Sequence, residues 1–365
     1  MALAVNRNKI QQRLKPFIRV RLKPKLLKLK FVAKKYIITC DWGTTNFRLR
    51  LIDARNCQVI SEIVSPDGVA TVYQAWKATN PTTQDKQSFF IEKLNQEVSK
   101  LSQKSSKIGR GVSIVLSGMA SSSIGMVEIP YANMPFSLDG HQAKVHIIEE
   151  TEGFYHKISL VSGVRSENDV MRGEETQLVG LAHLLTISAK KEYVFILPGT
   201  HSKHLYIKNK ALINCRTFMT GEMFNILSHH SILKDSIEKI GEKSFSQEEQ
   251  NAFEKGIRTA QTNNILHNLF TVRTNQLFST LSKKENFAYL SGLLIGTEMK
   301  ELHQAENTTF VLCSGNNLYE YYKKAMDILN LSPRTIFVPS DILEKATIVG
   351  QLKIAGFQNI EPCGK

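Results

Sequence analysis

The sequence predicts an α/β protein made of two similar domains that face each other across a cleft. Two observations carry that prediction. A strand–turn–strand–turn–strand pattern opens at Tyr36, and the same grammar recurs at Val194. Each pattern is then followed by helical segments, with no long flexible linker between the halves. A chain of 365 residues is long enough for about two domains.

In the first pattern, Tyr36 to Cys40 is a short apolar run that ends in Asp41-Trp42-Gly43-Thr44-Thr45-Asn46. Phe47, Leu49 and Leu51 then alternate with Arg48 and Arg50, the period-2 signature of a half-buried strand. Asp53 to Asn56 reads as a turn and Gln58 to Val64 as a third strand. In the second pattern, Val194 to Leu197 runs into Pro198-Gly199-Thr200-His201-Ser202-Lys203. His204 to Ile207 and Ala211 to Cys215 read as strands around a turn at Lys208 to Lys210. Gly43-Thr44-Thr45-Asn46 lines up with Gly199-Thr200-His201-Ser202, 156 residues further on. That offset is too long for a solenoid repeat and suits a duplicated domain.

Helices are expected over Gln87 to Leu101 and Met171 to Leu185, the second with Leu178, Leu181, Ala182 and Leu185 on one face. On a purely structural reading Asp169 would cap that second helix. Thr220 is a candidate N-cap for a helix through Leu233. Val112 to Leu116 and Thr309 to Cys313 read as strands, and a helix is expected from Leu318 to about Leu329. Ser340 or Asp341 would cap a last helix ending near Gly356. The expected division is a disordered basic extension over 1–35, a first domain over 36–187 and a second over 188–345. A C-terminal helix and tail over 346–365 would pack back on the first domain.

The net charge is +14, but residues 1–35 hold 12 Lys and Arg and no acid, which leaves +2 for the rest. Three readings of that arm compete: a solvated extension, a tail that touches RNA or membrane phosphates, and a targeting peptide. The arm has no apolar core or small-residue cleavage site, which argues against a secretory signal. No stretch is long and apolar enough to span a membrane. Five cysteines with no C-x-x-C pair read as reduced thiols of a cytoplasmic protein.

The two Gly/Thr turns carry the chemistry. A tight turn between strands gathers backbone N–H groups and hydroxyls into a concavity that binds phosphate. Two such turns facing across a cleft would grip a nucleotide triphosphate from both sides. Either turn alone could be a plain hairpin. Asp41 would hold Mg²⁺ through water, and Lys203 would offset charge on a transferred phosphoryl group. Walker A and protein-kinase motifs are absent, so a phosphotransferase would need another architecture.

Asp169, Arg172 and Glu174 crowd one segment where phosphoryl transfer needs a carboxylate base and a cation for an acidic substrate. The bland alternative is a capped helix start. Ser117 and Gly118 open a Gly/Ser-rich loop at a strand's end, a usual place for ligand contacts. Ser314-Gly315-Asn316-Asn317 reads as a nucleotide-side turn. His229-His230 reads as a partly exposed pair rather than a metal site.

Asp41 to Asn46, Asp169 to Gln177, Leu197 to Lys203 and Met219-Thr220-Gly221-Glu222 together resemble the motif series of the 2-keto-3-deoxygalactonate kinases, in order and spacing. The strings DVMRGEETQ and LPGTHSK are the most specific. The resemblance implies the actin-like (ribonuclease H-like) ATPase fold, two similar domains flanking an interdomain nucleotide cleft. It implies ATP- and Mg²⁺-dependent phosphorylation of 2-dehydro-3-deoxy-D-galactonate at its 6-hydroxyl, in galactonate catabolism.

The resemblance implies that Asp41, Gly43, Thr44 and Thr45 form the first phosphate loop. Gly199, Thr200, His201, Ser202 and Lys203 form the second, and Ser314, Gly315 and Asn316 lie on the adenosine side. It implies Asp169 as base, by analogy with sugar kinases of the same fold. Arg172, Glu174, Ser117, Gly118 and Asn46 are the expected substrate contacts, with Arg172, ahead of Arg48, on the carboxylate.

Three departures stand out. Ser123-Ile124-Gly125-Met126 replaces an Arg-Gln-Gly-Trp run, His204 stands where Trp is common, and residues 1–35 have no counterpart. Two rival readings stay open. One is a kinase of the same fold acting on another keto-deoxy acid or an amino sugar. The other is a non-catalytic nucleotide-dependent regulator that uses the basic arm on nucleic acid. Homo-oligomerisation is compatible with either.

Overall fold

The computed structural model describes residues 35–79, 85–241, 245–262, 264–304 and 307–357. The basic arm, apart from Lys35, and the last eight residues of the expected tail lie outside the described residues.

The first half opens with β1 (Tyr36–Trp42), β2 (Phe47–Asp53) and β3 (Gln58–Ser65). Helices α1 (Val69–Ala78) and α2 (Lys86–Lys104) follow, then β4 (Ile114–Gly118). Next come the short strands β5 (Ala132–Asn133) and β6 (Phe136–Ser137), β7 (Val145–Ile148) and β8 (Ile158–Val161). The hairpin β9 (Val164–Arg165) and β10 (Val170–Met171) leads into α3 (Glu174–Leu184). The second half opens with β11 (Glu192–Leu197), β12 (Ser202–Lys208) and β13 (Ala211–Phe218). It continues with α4 (Thr220–His230), α5 (Gln247–Thr262), α6 (Ile265–Leu277) and α7 (Lys283–Met299). β14 (Thr308–Cys313), α8 (Asn316–Ile328), β15 (Thr335–Val338) and α9 (Ser340–Ile354) close the described chain.

The two large sheets repeat one design. The first has the order β3-β2-β1-β4-β8-β7 and the second β15-β14-β11-β12-β13-β6. In each, three antiparallel meander strands are followed by two parallel ones: β1 with β4 and β4 with β8, then β11 with β14 and β14 with β15. This duplicated ribonuclease H-like sheet is the actin-like ATPase fold that the family resemblance implies. β6, from the first half of the chain, joins the outer edge of the second sheet beside β13.

Alternation along the strands sets the layers. Ile38, Cys40 and Leu49 face an outer core with Val69, Phe90 and Leu94 of α1 and α2. Ile37, Ile52 and Val115 face the opposite way, into a central core with α3, α9 and Phe195 and Val311 of the second sheet. Val194, Ile196 and Phe310 face the other outer core, made with α5, α7 and α8. Helices α3 and α9 thus fill the space between the sheets. They touch backbone to backbone: a Cβ on Gly180 would lie 1.8 Å from the Ala346 carbonyl oxygen, and one on Gly350 would lie 1.8 Å from that of Thr176. Among the described residues no helix is long and apolar enough to cross a membrane.

Several local expectations are corrected. The helix expected from Met171 begins at Glu174 with Gly173 as N-cap, because Val170 and Met171 pair with β9. Asp169 therefore caps nothing and sits in the β9–β10 turn. Helix α4 is capped by Met219, and the Thr220 hydroxyl instead donates to Glu298. Helix α9 is capped by Pro339. The sequence reading passed over α1, α5, α6 and α7. The last was marked by its Ser282–Glu285 capping box, in which both reciprocal hydrogen bonds form.

Candidate active site

Both Gly/Thr turns are seated on the start of the helix that follows their meander. In the β1–β2 turn, the Gly43 N–H donates to the Asn46 carbonyl at 2.9 Å. The Gly43 and Thr44 carbonyls accept from Val69 and Ala70 at the start of α1. Gly68 permits that approach, since a Cβ there would lie 2.3 Å from the Thr44 oxygen. Thr44, Thr45 and Asn46 are exposed. Among the described residues, the Thr44 and Thr45 N–H groups meet no backbone acceptor. In the β11–β12 turn, the Thr200 carbonyl accepts from Glu222 at the start of α4. Gly221 plays the part of Gly68, with a Cβ that would fall 2.6 Å from the Gly199 oxygen. The His201 Nε2 lies 2.6 Å from Glu222 Oε2. Each turn thus projects at the electropositive end of a helix, a setting that favours an anion.

A row of polar groups runs between the turns. Asp41 ends β1 beside Ser117 and Gly118 of β4. Burial pushes its carboxyl above the ordinary carboxylate range, against the pull of Arg48 and Arg50. A Cβ on Gly118 would collide with the Trp42 carbonyl at 2.7 Å and sit 3.5 Å from Asp41 Oδ1, and its φ of +95° is one that glycine adopts freely. Glu174 is likewise raised by burial, opposed by Lys203, whose Nζ lies 3.9 Å from its Oε1. Lys203 pairs across the strands with Thr217. The Thr217 N–H and hydroxyl both donate to Asp169, at 2.6 Å each. Glu174, Lys203, Thr217 and Asp169 therefore form a row that reaches the second sheet, and the Asp41 charge adds to the rise of the Glu174 carboxyl.

Other expected site residues face elsewhere. The Arg172 guanidinium donates to Ser121 Oγ at 2.9 Å and to the Ile129 carbonyl at 3.1 Å, and it stacks 4.0 Å over the Tyr131 ring. It is locked inside the first half. Ser117 is fully buried, and its hydroxyl accepts from Gln351 of α9 at 2.9 Å. Ser202 is also fully buried and gives its hydroxyl to Glu298 at 2.6 Å, so it supports the second turn from beneath. Ser314 is buried with its hydroxyl on the Gly315 carbonyl, while Gly315 is exposed at the start of α8. The Asn316 side chain lies outside the described residues. Arg48 is spent on Glu62 and Glu344.

Glu298 escaped the sequence reading. Its buried carboxylate accepts hydrogen bonds from Ser202, Thr220 and Tyr322 and meets the His204 ring at 3.0 Å. Burial acts to raise its pKa, but the His204, Ser202 and Thr220 contacts outweigh that and hold it low. The signal was present: Glu298 is the single charged residue in the run from Asn286 to Met299. Thr217 gave no such signal, because its role depends on the pairing of two distant strands.

A model of the 2-keto-3-deoxy-galactonokinase family matches residues 41–351. The chain belongs to that family. It is 26% identical over 303 residues to the 2-dehydro-3-deoxygalactonokinase of Escherichia coli K12, covering 80% of this chain and 89% of that one. A crystal structure of a Sinorhizobium meliloti protein provisionally named 2-dehydro-3-deoxygalactonokinase superposes with a TM-score of 0.71 at 26% identity, over 88% of this chain and 97% of that one.

The departures from the common 2-keto-3-deoxy-galactonokinase pattern have local explanations. His204, where Trp is common, is 1% exposed, joins Glu298 and packs 4.6 Å from the Phe218 ring. The Ser123-to-Met126 loop turns tightly at Gly125, and Met126 is buried in the first outer core.

Proposed function

We propose that the protein transfers the γ-phosphoryl group of ATP to the 6-hydroxyl of 2-dehydro-3-deoxy-D-galactonate. The observation that carries this reading is the row from Glu174 through Lys203 and Thr217 to Asp169, beside two anion-receptive turns. Family membership narrows the acceptor to a sugar acid.

The donor set fits Mg-ATP. Mg²⁺ keeps several waters and takes one or two carboxylates beside phosphate oxygens, and Asp41 with Glu174 offers such a pair. Thr44, Thr45, Gly199 and Thr200 would receive phosphate oxygens. Gly315, opening α8, would face the adenosine side. ATP supplies the transferred group, and the cation would offset its charge. Lys203 draws the equatorial oxygens of that group from the second sheet.

Asp169 receives the acceptor's hydroxyl proton. Its Oδ1 takes hydrogen bonds from Thr217 Oγ1 and the Val170 N–H, and its Oδ2 takes one from the Thr217 N–H. A carboxylate oxygen accepts about two, so Oδ2 keeps one free lone pair for a substrate hydroxyl. Thr217 and Val170 fix the direction in which that lone pair points. Cleft closure excludes water that would otherwise consume ATP.

The test is ADP release with Mg-ATP against 2-keto-3-deoxygalactonate, 2-keto-3-deoxygluconate, galactose and N-acetylglucosamine. Turnover confined to the galactonate derivative supports the reading. A preference for the gluconate epimer moves it to another keto-deoxy acid. Silence on all four, with ATP still bound, favours a regulator.

A further inference from the structure

A groove of about 1040 Å³ runs along β13 next to Asp169. One wall is the β9–β10 hairpin and the other is Ile213 to Phe218, with Asn133 to Pro135 at one end. Strand β6 covers the β13 edge only at Ala211 and Leu212, so the edge beyond is open to the groove. The Thr217 N–H on that edge is the one that holds Asp169.

The chemistry of the lining is specific. Asn133, Asn168 and Asn214 offer amides, and Arg165 offers a guanidinium. The Arg165 Nε donates to Asn133 Oδ1 at 3.0 Å. Among the described residues Arg165 pairs with no carboxylate, whereas Arg216, on the opposite wall, is paired with Glu301. Glu167 also lines the groove and adds a negative charge to the hairpin wall. Arg165 lies directly across the hairpin from Val170, and the Ser166–Asp169 turn closes at 2.9 Å. One short hairpin therefore carries an exposed unpaired cation and the carboxylate with a free lone pair. A six-carbon acid presents a carboxylate at one end and a hydroxyl at the other, the same two-ended demand.

We infer that this groove is the sugar-acid site and that Arg165, not Arg172, receives the substrate's carboxylate. The inference rests on the kinase reading above. Asn133 positions the guanidinium, and the amides of Asn168 and Asn214 take the acceptor's secondary hydroxyls. Arg172 is held away from the groove, inside the first half. Its guanidinium is held by Ser121, Ile129 and the Tyr131 ring, its buried Nε meets no partner among the described residues, and it is not among the residues that line the groove. Arg165 is thus a specificity-determining residue: it selects acids over neutral sugars, and Asp169 performs the transfer.

The test compares wild type, Arg165→Gln, Arg165→Lys and Arg172→Gln, using 2-keto-3-deoxygalactonate and its neutral C1 amide. Arg165→Gln is expected to raise KM for the acid about tenfold to a hundredfold, the loss of one charge-assisted pair. KM for ATP and kcat stay near wild type, the amide is used as before, and Arg165→Lys recovers part of the loss. Calorimetric titration of the acid without ATP supplies a second readout. Wild type that binds the acid through Arg165 yet does not phosphorylate it would sink the kinase reading and leave the groove assignment standing. An unchanged acid-over-amide preference in Arg165→Gln overturns the assignment. Loss of that preference in Arg172→Gln alone returns the role to Arg172.

Discussion

Asp169 and Thr217 are joined by two hydrogen bonds of 2.6 Å, one from the backbone N–H and one from the hydroxyl, that tie the β9–β10 hairpin to the edge of the second sheet. Both donors come from Thr217, so a carboxylate suits this place and an amide does not. Asp169→Asn would set an NH₂ group against a donor as well as removing the proton acceptor. Its kcat is expected to fall by about 10²- to 10⁴-fold, with KM for ATP within about threefold. Thr217→Val keeps the N–H contact and should lose about tenfold or less. Steady-state ADP release checks both, and near-normal turnover of Asp169→Asn removes the residue from its role.

Glu298 gathers the second turn, α4 and α8 onto α7. Glu298→Ala leaves three hydroxyls and His204 without their acceptor in a buried setting. A loss of about 3–5 kcal/mol is expected, with a rise in KM for ATP because Ser202 loses its anchor. The pKa of Glu298 is depressed from 4.5. Its contribution is therefore present above the unfolded value and lost as pH falls through the folded one. Denaturant titrations below pH 4.5 should show wild type losing stability faster than Glu298→Gln.

Glu175 shows the opposite sign. It is 1% exposed, and burial, helped by the charge of Glu174, pushes its carboxyl up to about 8. The unfolded chain ionises this group near 4.5, so the folded state binds the extra proton between those values. Stability is fully present below 4.5 and is lost as pH rises through 8, at a slope approaching ~1.4 kcal/mol per pH unit. Chemical denaturation from pH 5 to 9 should show this decline in wild type and a flatter curve in Glu175→Gln. Equal slopes would show that Glu175 is ionised in the folded protein.

The α3–α9 contact tolerates no side chain at its two glycines. Gly350→Ala and Gly180→Ala each place a methyl group 1.8 Å from a carbonyl oxygen, so the helices must separate. Each is expected to cost about 3 kcal/mol or more. Gly241→Ala, which meets nothing within 4 Å, serves as the control and should stay within about 0.5 kcal/mol. Thermal melts of the three variants decide the matter.

Local patterns were the legible part of the fold. The alternation of Phe47, Leu49 and Leu51 with Arg48 and Arg50, and its echo after Leu197, exposed two copies of one sheet. Asp41, Lys203 and Glu174 were marked by residue type in an informative segment, and the structure brings Lys203 and Glu174 within 3.9 Å of each other. Arg172 and Ser117 were misread for a shared reason. Sequence shows that a side chain can bind an anion or a hydroxyl, but not whether Ser121, Ile129 or Gln351 has already taken its donors and acceptors. Arg165 was passed over because its exposure and its distance from any carboxylate are three-dimensional facts. The caps expected at residues 169 and 220 were lost to tertiary partners: β9 pairing moves one helix start to Glu174, and Glu298 takes the Thr220 hydroxyl although α4 does start there.

Phe136 and Ser137 pair with Leu212 and Ala211, which sends a strand from the first half of the chain to the rim of the second sheet. A cut between residues 187 and 188 would therefore not yield two self-sufficient fragments. The first would carry an orphaned strand and the second a bared edge. The crossover also constrains movement. With the α3–α9 contact, this stitch ties the halves together at two places. The hairpin bearing Asp169 is tied to the same rim a few residues further on, at Thr217.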